Sequence, residues 1–147
     1  MYYCDTSFVT PLVLPESASD ALTAFLKKSR PRELAVSLWT IVEFASLVSR
    51  RLRMRELTER QAELARASFQ GMVARSYRVF LPLAADYALA AKFLENHKTG
   101  LRAGDALHLA IAKNHGATMI YSLDAGLVKA ATLLKMSAST GLRAQAR

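Results

Sequence analysis

Residues 100–131, GLRAGDALHLAIAKNHGATMIYSLDAGLVKAA, decide the fold. The apolar positions from 103 to 115 recur at helical spacing, and Gly116 is placed to end that helix in a left-handed cap. TMIYS at 118–122 is a short apolar run of strand character, and a second helix follows over 125–134. Helix, strand and helix in succession predict one turn of a parallel α/β winding, because parallel strands need a crossover between them.

Working outward, the same alternation covers the rest of the chain. YYCD at 2–5 reads as a strand ending in an acid. Thr6 and Ser7 suit a helix start, and Pro11 suits a first helical turn. Residues 16–29 read as a helix with early acids and late lysines, broken by Arg30-Pro31-Arg32. LAVS at 34–37 is a second strand. Over 38–53 Leu38, Ile41, Val42, Ala45 and Val48 fall at helical spacing. Thr58 and Gln61 form a capping-box pattern opening a helix to about Tyr77. VFL at 79–81 is a third strand, 84–97 an alanine-rich helix and 96–100 a loop. A fifth short strand is expected near 135–138. The fold class is therefore α/β: a three-layer α/β/α sandwich on a parallel sheet of four to five strands, formed by one domain over residues 1–147.

Composition narrows the function. The chain has 147 residues, 52% hydrophobic, with 20 Lys and Arg against 12 Asp and Glu, a net charge of +8. A chain of this length buries enough surface to fold without staples. Its single cysteine, Cys4, excludes an internal disulfide framework and a multi-cysteine zinc site. Its apolar runs fall short of the roughly 18–20 residues of a membrane span. The N-terminus lacks the basic region of a signal peptide, so a cytoplasmic protein without membrane contact is expected. The positive charge suits polyanions, nucleic acid first, or serves solubility alone. His97, His108 and His115 lack metal-pair spacing, and no phosphate-cradling glycine loop is present. His108, on an apolar helix face, reads as a hydrogen-bonded core residue. Cys4, Trp39 and Phe44 read as core or interface.

The acids carry the chemistry. Seven of the 12 sit among polar neighbours, whereas Asp5, Glu43, Asp86, Asp105 and Asp124 sit in apolar stretches. A carboxylate drawn from water is costly unless something compensates it. Asp86, opening an alanine-rich helix, reads as an N-cap. Asp105 and Asp124 read equally as caps or as ligands. Capping accounts poorly for Asp5, at a strand end, and least for Glu43, within a helix. In a parallel sheet Asp5 and Asp124 share the carboxyl edge, where ligands gather in open α/β folds. Four such carboxylates would hold one or two hard divalent cations. Unpaired, two of them at about 4 Å repel by about 4 kcal/mol at an effective dielectric near 20.

YYCDTSFVTPLVLPE at 2–16, SLWTIVEFASLVSRR at 37–51 and the opening stretch together resemble the PIN-domain ribonucleases, among them the VapC-type toxins of toxin–antitoxin pairs. The resemblance runs along essentially the whole chain. It implies metal-dependent endoribonuclease activity with Mg²⁺ or Mn²⁺, hydrolysing RNA phosphodiester bonds. It makes Asp5, Glu43, Asp105 and Asp124 the catalytic and metal-binding acids, and it places Thr6, Ser7 and Ser122 as hydroxyls orienting them. Ser122 stands where the family usually has threonine. The resemblance also brings Asp105 to the site, and it implies a cognate antitoxin and a homodimer. Which of Glu43 and Asp124 would touch metal directly stays open. Arg50, Arg51, Arg53 and Arg55, and Lys27, Lys28, Arg30 and Arg32, form two basic clusters suited to phosphates or to solvated helix ends. Arg102 is placed to meet a phosphate or to pair with an acid. The competing function is a non-catalytic basic domain binding nucleic acid or a protein partner. A phosphoacceptor domain built on Asp5 would need an acidic neighbour, which Asp5 lacks.

Overall fold

The computed structural model describes residues 1–27 and 33–142. Five strands, β1 (Tyr2–Cys4), β2 (Leu34–Ser37), β3 (Tyr77–Phe80), β4 (Met119–Tyr121) and β5 (Ala138–Ser139), form one sheet in the order β3-β2-β1-β4-β5. Every pairing is parallel, with Tyr3 opposite both Ala35 and Ile120. Among the described residues the α-helices are α1 (Thr6–Val9), α2 (Ser19–Leu26), α3 (Leu38–Arg53), α4 (Glu59–Ser76), α5 (Ala84–Glu95), α6 (Ala103–Asn114) and α7 (Ala125–Leu133).

Alternation along the strands splits the core in two. Tyr3, Ala35 and Ile120 point to one face and join Phe93, Leu109, Ile111 and Leu127 of α5, α6 and α7. Cys4, Leu34 and Val36 point to the other and join Phe8, Leu22, Phe44, Val48 and Phe69 of α1, α2, α3 and α4. Each fully buried large apolar side chain contributes about 1.5–3 kcal/mol. The sequence therefore folds into the expected three layers. None of the described helices is long and apolar enough to cross a membrane.

Helices α3 and α4 begin where the capping signals put them. Ser37 caps α3 by accepting from the Thr40 N–H, and Thr58 caps α4 by accepting from the Gln61 N–H. Several boundaries move. β3 starts at Tyr77 rather than 79, because α4 runs straight into the strand and Tyr77 pairs with Leu34. β5 falls at Ala138–Ser139, after Lys135 turns the chain at φ 57° past the end of α7. α2 starts at Ser19, since Glu16 lies in the preceding turn, where its N–H is bonded by the Ser19 hydroxyl. Pro11 sits in a 3₁₀ turn over Thr10–Leu12 that prolongs α1. The expected helix at 28–29, the break at 30–32, and Lys28, Arg30 and Arg32 lie outside the described residues.

Asp86 is structural but is not the N-cap. It is the third residue of α5, 1% exposed, and its carboxylate accepts from the Leu83 N–H, from Asn114 and from His115. It ties the start of α5 to the end of α6. That antiparallel hairpin delivers the N-terminus of α6 to the sheet edge described next.

Candidate active site

The strand order reverses between β1 and β4. The chain builds outward from β1 to β3, then crosses back to β4 on the other side of β1. A crevice opens outside the carboxyl ends of strands at such a point. It holds a cavity of about 340 Å³ whose walls include Asp5, Thr6, Ser7, Glu43, Asp105 and Asp124. The four candidate acids come from four different elements: the end of β1, the middle of α3, the first turn of α6 and the start of α7.

Asp5 is 3% exposed and caps α1, so capping accounts for it better than its place at a strand end suggests. Oδ1 accepts the Phe8 N–H at 2.9 Å and the Ser7 hydroxyl at 2.8 Å, and Oδ2 accepts the Ser122 hydroxyl at 2.6 Å. Burial pushes the Asp5 carboxyl above its ordinary range; the charge of His108 and the bonds from Ser122, Ser7 and Phe8 pull against it. Ser7 accepts the Leu123 N–H and Ser122 accepts the Asp124 N–H, so these two hydroxyls lock β1 to the loop after β4. Ser7 lines the cavity, and Ser122 lies beneath it, fully buried.

Asp124 is exposed and caps α7, accepting the N–H groups of Gly126 and Leu127 at 2.7 and 3.2 Å. Asp105 lies in the first turn of α6 with one long bond, 3.4 Å, from the Arg102 N–H. Burial raises the Asp105 carboxyl, and the negative charges of Asp124 and Glu43 raise it further, whereas the Arg102 bond and His108 lower it. Two acids from distant parts of the sequence thus act electrostatically on a third. Arg102 meets Asp105 through its backbone, not its guanidinium.

Glu43 is the acid without a capping role. Its Oε2 accepts the Thr6 hydroxyl and lies 2.5 Å from His108 Nε2. Burial acts to raise its carboxyl, but the bond and charge of His108, with the bond from Thr6, outweigh this and hold it below its ordinary value. His108 is 2% exposed and fully partnered, as its apolar helix face suggests. It is also part of the cavity wall, which sequence reasoning missed. Its Nδ1 lies 2.7 Å from the Tyr3 hydroxyl, which lies 2.8 Å from the Ser37 hydroxyl. The signal is present in the sequence: His108 stands three residues after Asp105, on the same side of one helix.

The basic residues divide. Arg50 lines the cavity, two turns along α3 from Glu43. Arg51 is taken up by Glu16 and Glu56. Arg53, Arg55 and Lys27 are exposed. Cys4 is buried in the core, as expected.

Among the described residues no three His, Cys, Asp or Glu side chains stand close enough to ligate one ion together. The donor set nevertheless fits a hard divalent cation. All four acids offer oxygen, and Mg²⁺ commonly keeps several waters and takes only one or two carboxylates.

A parallel sheet in this order, with acids gathered at its reversal, defines an α/β protein whose site lies at the switch point. The PIN domain family model matches residues 2–133, and the chain belongs to that family. No curated protein sequence matches it. Among the solved structures that share its fold are three toxin or toxin–antitoxin structures. VapC20 of Mycobacterium tuberculosis, a sarcin–ricin loop cleaving toxin, is 21% identical with a TM-score of 0.71, over 88% of this chain and 95% of that one. FitAcB of Neisseria gonorrhoeae is 18% identical with a TM-score of 0.71, over 96% and 98%. VapBC2 of Rickettsia felis, bound to a DNA fragment from its promoter, is 14% identical with a TM-score of 0.68, over 94% and 96%.

Proposed function

We propose that this chain is a Mg²⁺- or Mn²⁺-dependent endoribonuclease and the toxin of a toxin–antitoxin pair. One observation carries the reading: in a chain of net charge +8, four acids from four elements converge on one cavity. Such an arrangement works against folding unless a cation compensates it. Membership of the PIN family and the fold shared with VapC20 support the same reading.

A bound divalent cation supplies Lewis-acid charge at the phosphoryl group and makes water a better nucleophile near neutral pH. The chain's own residues do the rest. Asp5, held by Ser7, Ser122 and the Phe8 N–H, is a fixed anchor whose carboxylate cannot rotate away. Asp105 is loosely bonded, so its oxygens remain available to the cavity. Glu43 would help to hold the cation and would orient the attacking water, both through the oxygen that Thr6 and His108 leave free. Asp124 completes the acidic wall. Arg50 takes a neighbouring phosphate at the rim. Water oxygen bonds to phosphorus, the bond to the 3′-oxygen breaks, and that oxygen leaves with a proton, giving a 5′-phosphate.

The partners follow from the same reading: RNA as substrate, a cognate antitoxin covering the acidic cavity, and a second copy of the chain. Leu38 and Val42, 42% and 55% exposed on the helix that carries Glu43, offer apolar surface for a homodimer.

A randomised RNA pool tests the activity whatever the target sequence. The expected result is cleavage that leaves 5′-phosphate ends, requires Mg²⁺ or Mn²⁺ and stops with EDTA. Binding of the pool without any cleavage, at every metal concentration, would favour the non-catalytic basic domain instead.

A further inference from the structure

We infer that Gly104 and His108, one turn apart on α6, are positioning residues that fix Glu43 so that only its Oε1 faces the cavity. The inference deepens the metal-dependent reading above and rests on it.

The geometry is specific. A carboxylate oxygen offers two lone pairs. Glu43 Oε2 has a partner for each, the Thr6 hydroxyl, which donates to it, and His108 Nε2 at 2.5 Å, which donates in the Nε2–H tautomer. His108 is itself held on its other nitrogen by the Tyr3 hydroxyl at 2.7 Å, and Tyr3 is held by Ser37 at 2.8 Å. Ser37 caps the helix on which Glu43 sits, so the chain of bonds closes on itself through β1, α6 and α3. The ring of His108 therefore cannot turn without breaking contacts in three elements.

Gly104 sets the other oxygen. A Cβ at this position would lie 2.8 Å from Glu43 Oε1 and 3.5 Å from the Trp39 ring. Oε1 is the end of a side chain whose other oxygen is pinned, so room for a methyl group is made only by displacing the carboxylate or breaking its bonds. The glycine is thus required by clearance rather than by backbone conformation. α6 supplies an acid at Asp105 and, on either side of it, the two residues that aim the acid of another helix. Residues orienting a metal-ligating group are worth about 10- to 100-fold in metal affinity.

Mn²⁺ is the probe. Its affinity is measured by titration for the wild type, Gly104→Ala, His108→Leu and His108→Gln, with a melting temperature for each. Gly104→Ala and His108→Leu are expected to bind Mn²⁺ about 10- to 100-fold more weakly. His108→Gln, which keeps a donor for Glu43, is expected to stay within a few-fold of the wild type. Alanine is the better helix former by about 1 kcal/mol, which partly offsets the broken bonds, so Gly104→Ala is expected to fold and to melt only modestly below the wild type. It decides the matter even if His108→Leu fails to fold, and wild-type affinity in Gly104→Ala overturns the inference. A wild type that binds no Mn²⁺ defeats the metal reading instead. The positioning claim is then read in the metal-free protein by long-range proton–nitrogen NMR of His108. A proton on Nε2 that shifts in Glu43→Ala supports it, and a bare Nε2 overturns it.

Discussion

Asp5→Asn is expected to remove RNA cleavage by about 10²–10³-fold or more, the scale of losing one charge-stabilising group, while the protein melts at the same temperature or higher. The two halves of this result come from one fact. Asp5 is almost wholly buried, and burial raises its carboxyl above the ordinary value. For such a group the contribution to stability is full below the unfolded value of about 4 and is lost as pH rises through the folded value. At neutral pH the ionised form works against folding. Asparagine removes the charge and still accepts the Phe8 N–H. That same oxygen keeps the Ser7 hydroxyl, and the Ser122 hydroxyl can turn to accept from the NH₂, where it now donates to the carboxylate. The variant should lose less stability than the wild type between pH 4 and pH 8, as thermal melts across that range would show. If Asp5→Asn unfolds, the residue is a helix cap before anything else; if it cleaves at the wild-type rate, the site assignment fails.

Phe44→Ala is expected to lower stability by about 3–5 kcal/mol, the cost of emptying a buried phenylalanine site. Phe44 follows Glu43 about 100° further round α3 and faces the core rather than the cavity, where it stacks on Phe69 of α4 with ring centroids 3.9 Å apart. Val48 continues the same face, and both are buried. This packing fixes the rotation of α3, and hence where Glu43 emerges at the cavity. Urea denaturation measures the loss. A loss near 1 kcal/mol would mean that α4 closes onto the gap and that α3 is not held from behind as described.

The fold is legible in the sequence because its signals are local. Capping residues at Ser37 and Thr58 mark two helix starts, and β2 and α3 fall where their apolar patterns put them. The start of β3 differs by two residues because no turn residue separates the strand from α4; only pairing with β2 sets it. Asp86 resembles a cap in sequence because a short acid near a helix start looks the same at the first and third positions. Its bonds to Asn114 and His115, 28 and 29 residues on, are tertiary and leave no local mark.

The four acids are legible as acids in apolar surroundings, and the cavity gathers all of them. What the sequence conceals is how each is held. Asp5 caps a helix of only four residues, too short to show a pattern. The network from Ser37 through Tyr3 and His108 to Glu43 joins residues up to 105 positions apart. The apolar helix face of His108 marks it correctly as a partnered core residue, but nothing local shows that its partner is Glu43 of another helix. Gly104 gives no signal in a sequence beyond tolerance of a glycine in a helix; its reason is a clearance of one methyl group.

The proposed mechanism requires these carboxylates to form a divalent-cation site. Calorimetric titration of Mn²⁺ into the antitoxin-free protein, with Asp105→Asn alongside, tests it most directly. Asp105 is the acid on which both Asp124 and Glu43 act, and its one bond is long. Saturable binding to the wild type, lost in a folded Asp105→Asn, is the expected result. Absence of binding to a folded wild type, with and without RNA present, would contradict the mechanism.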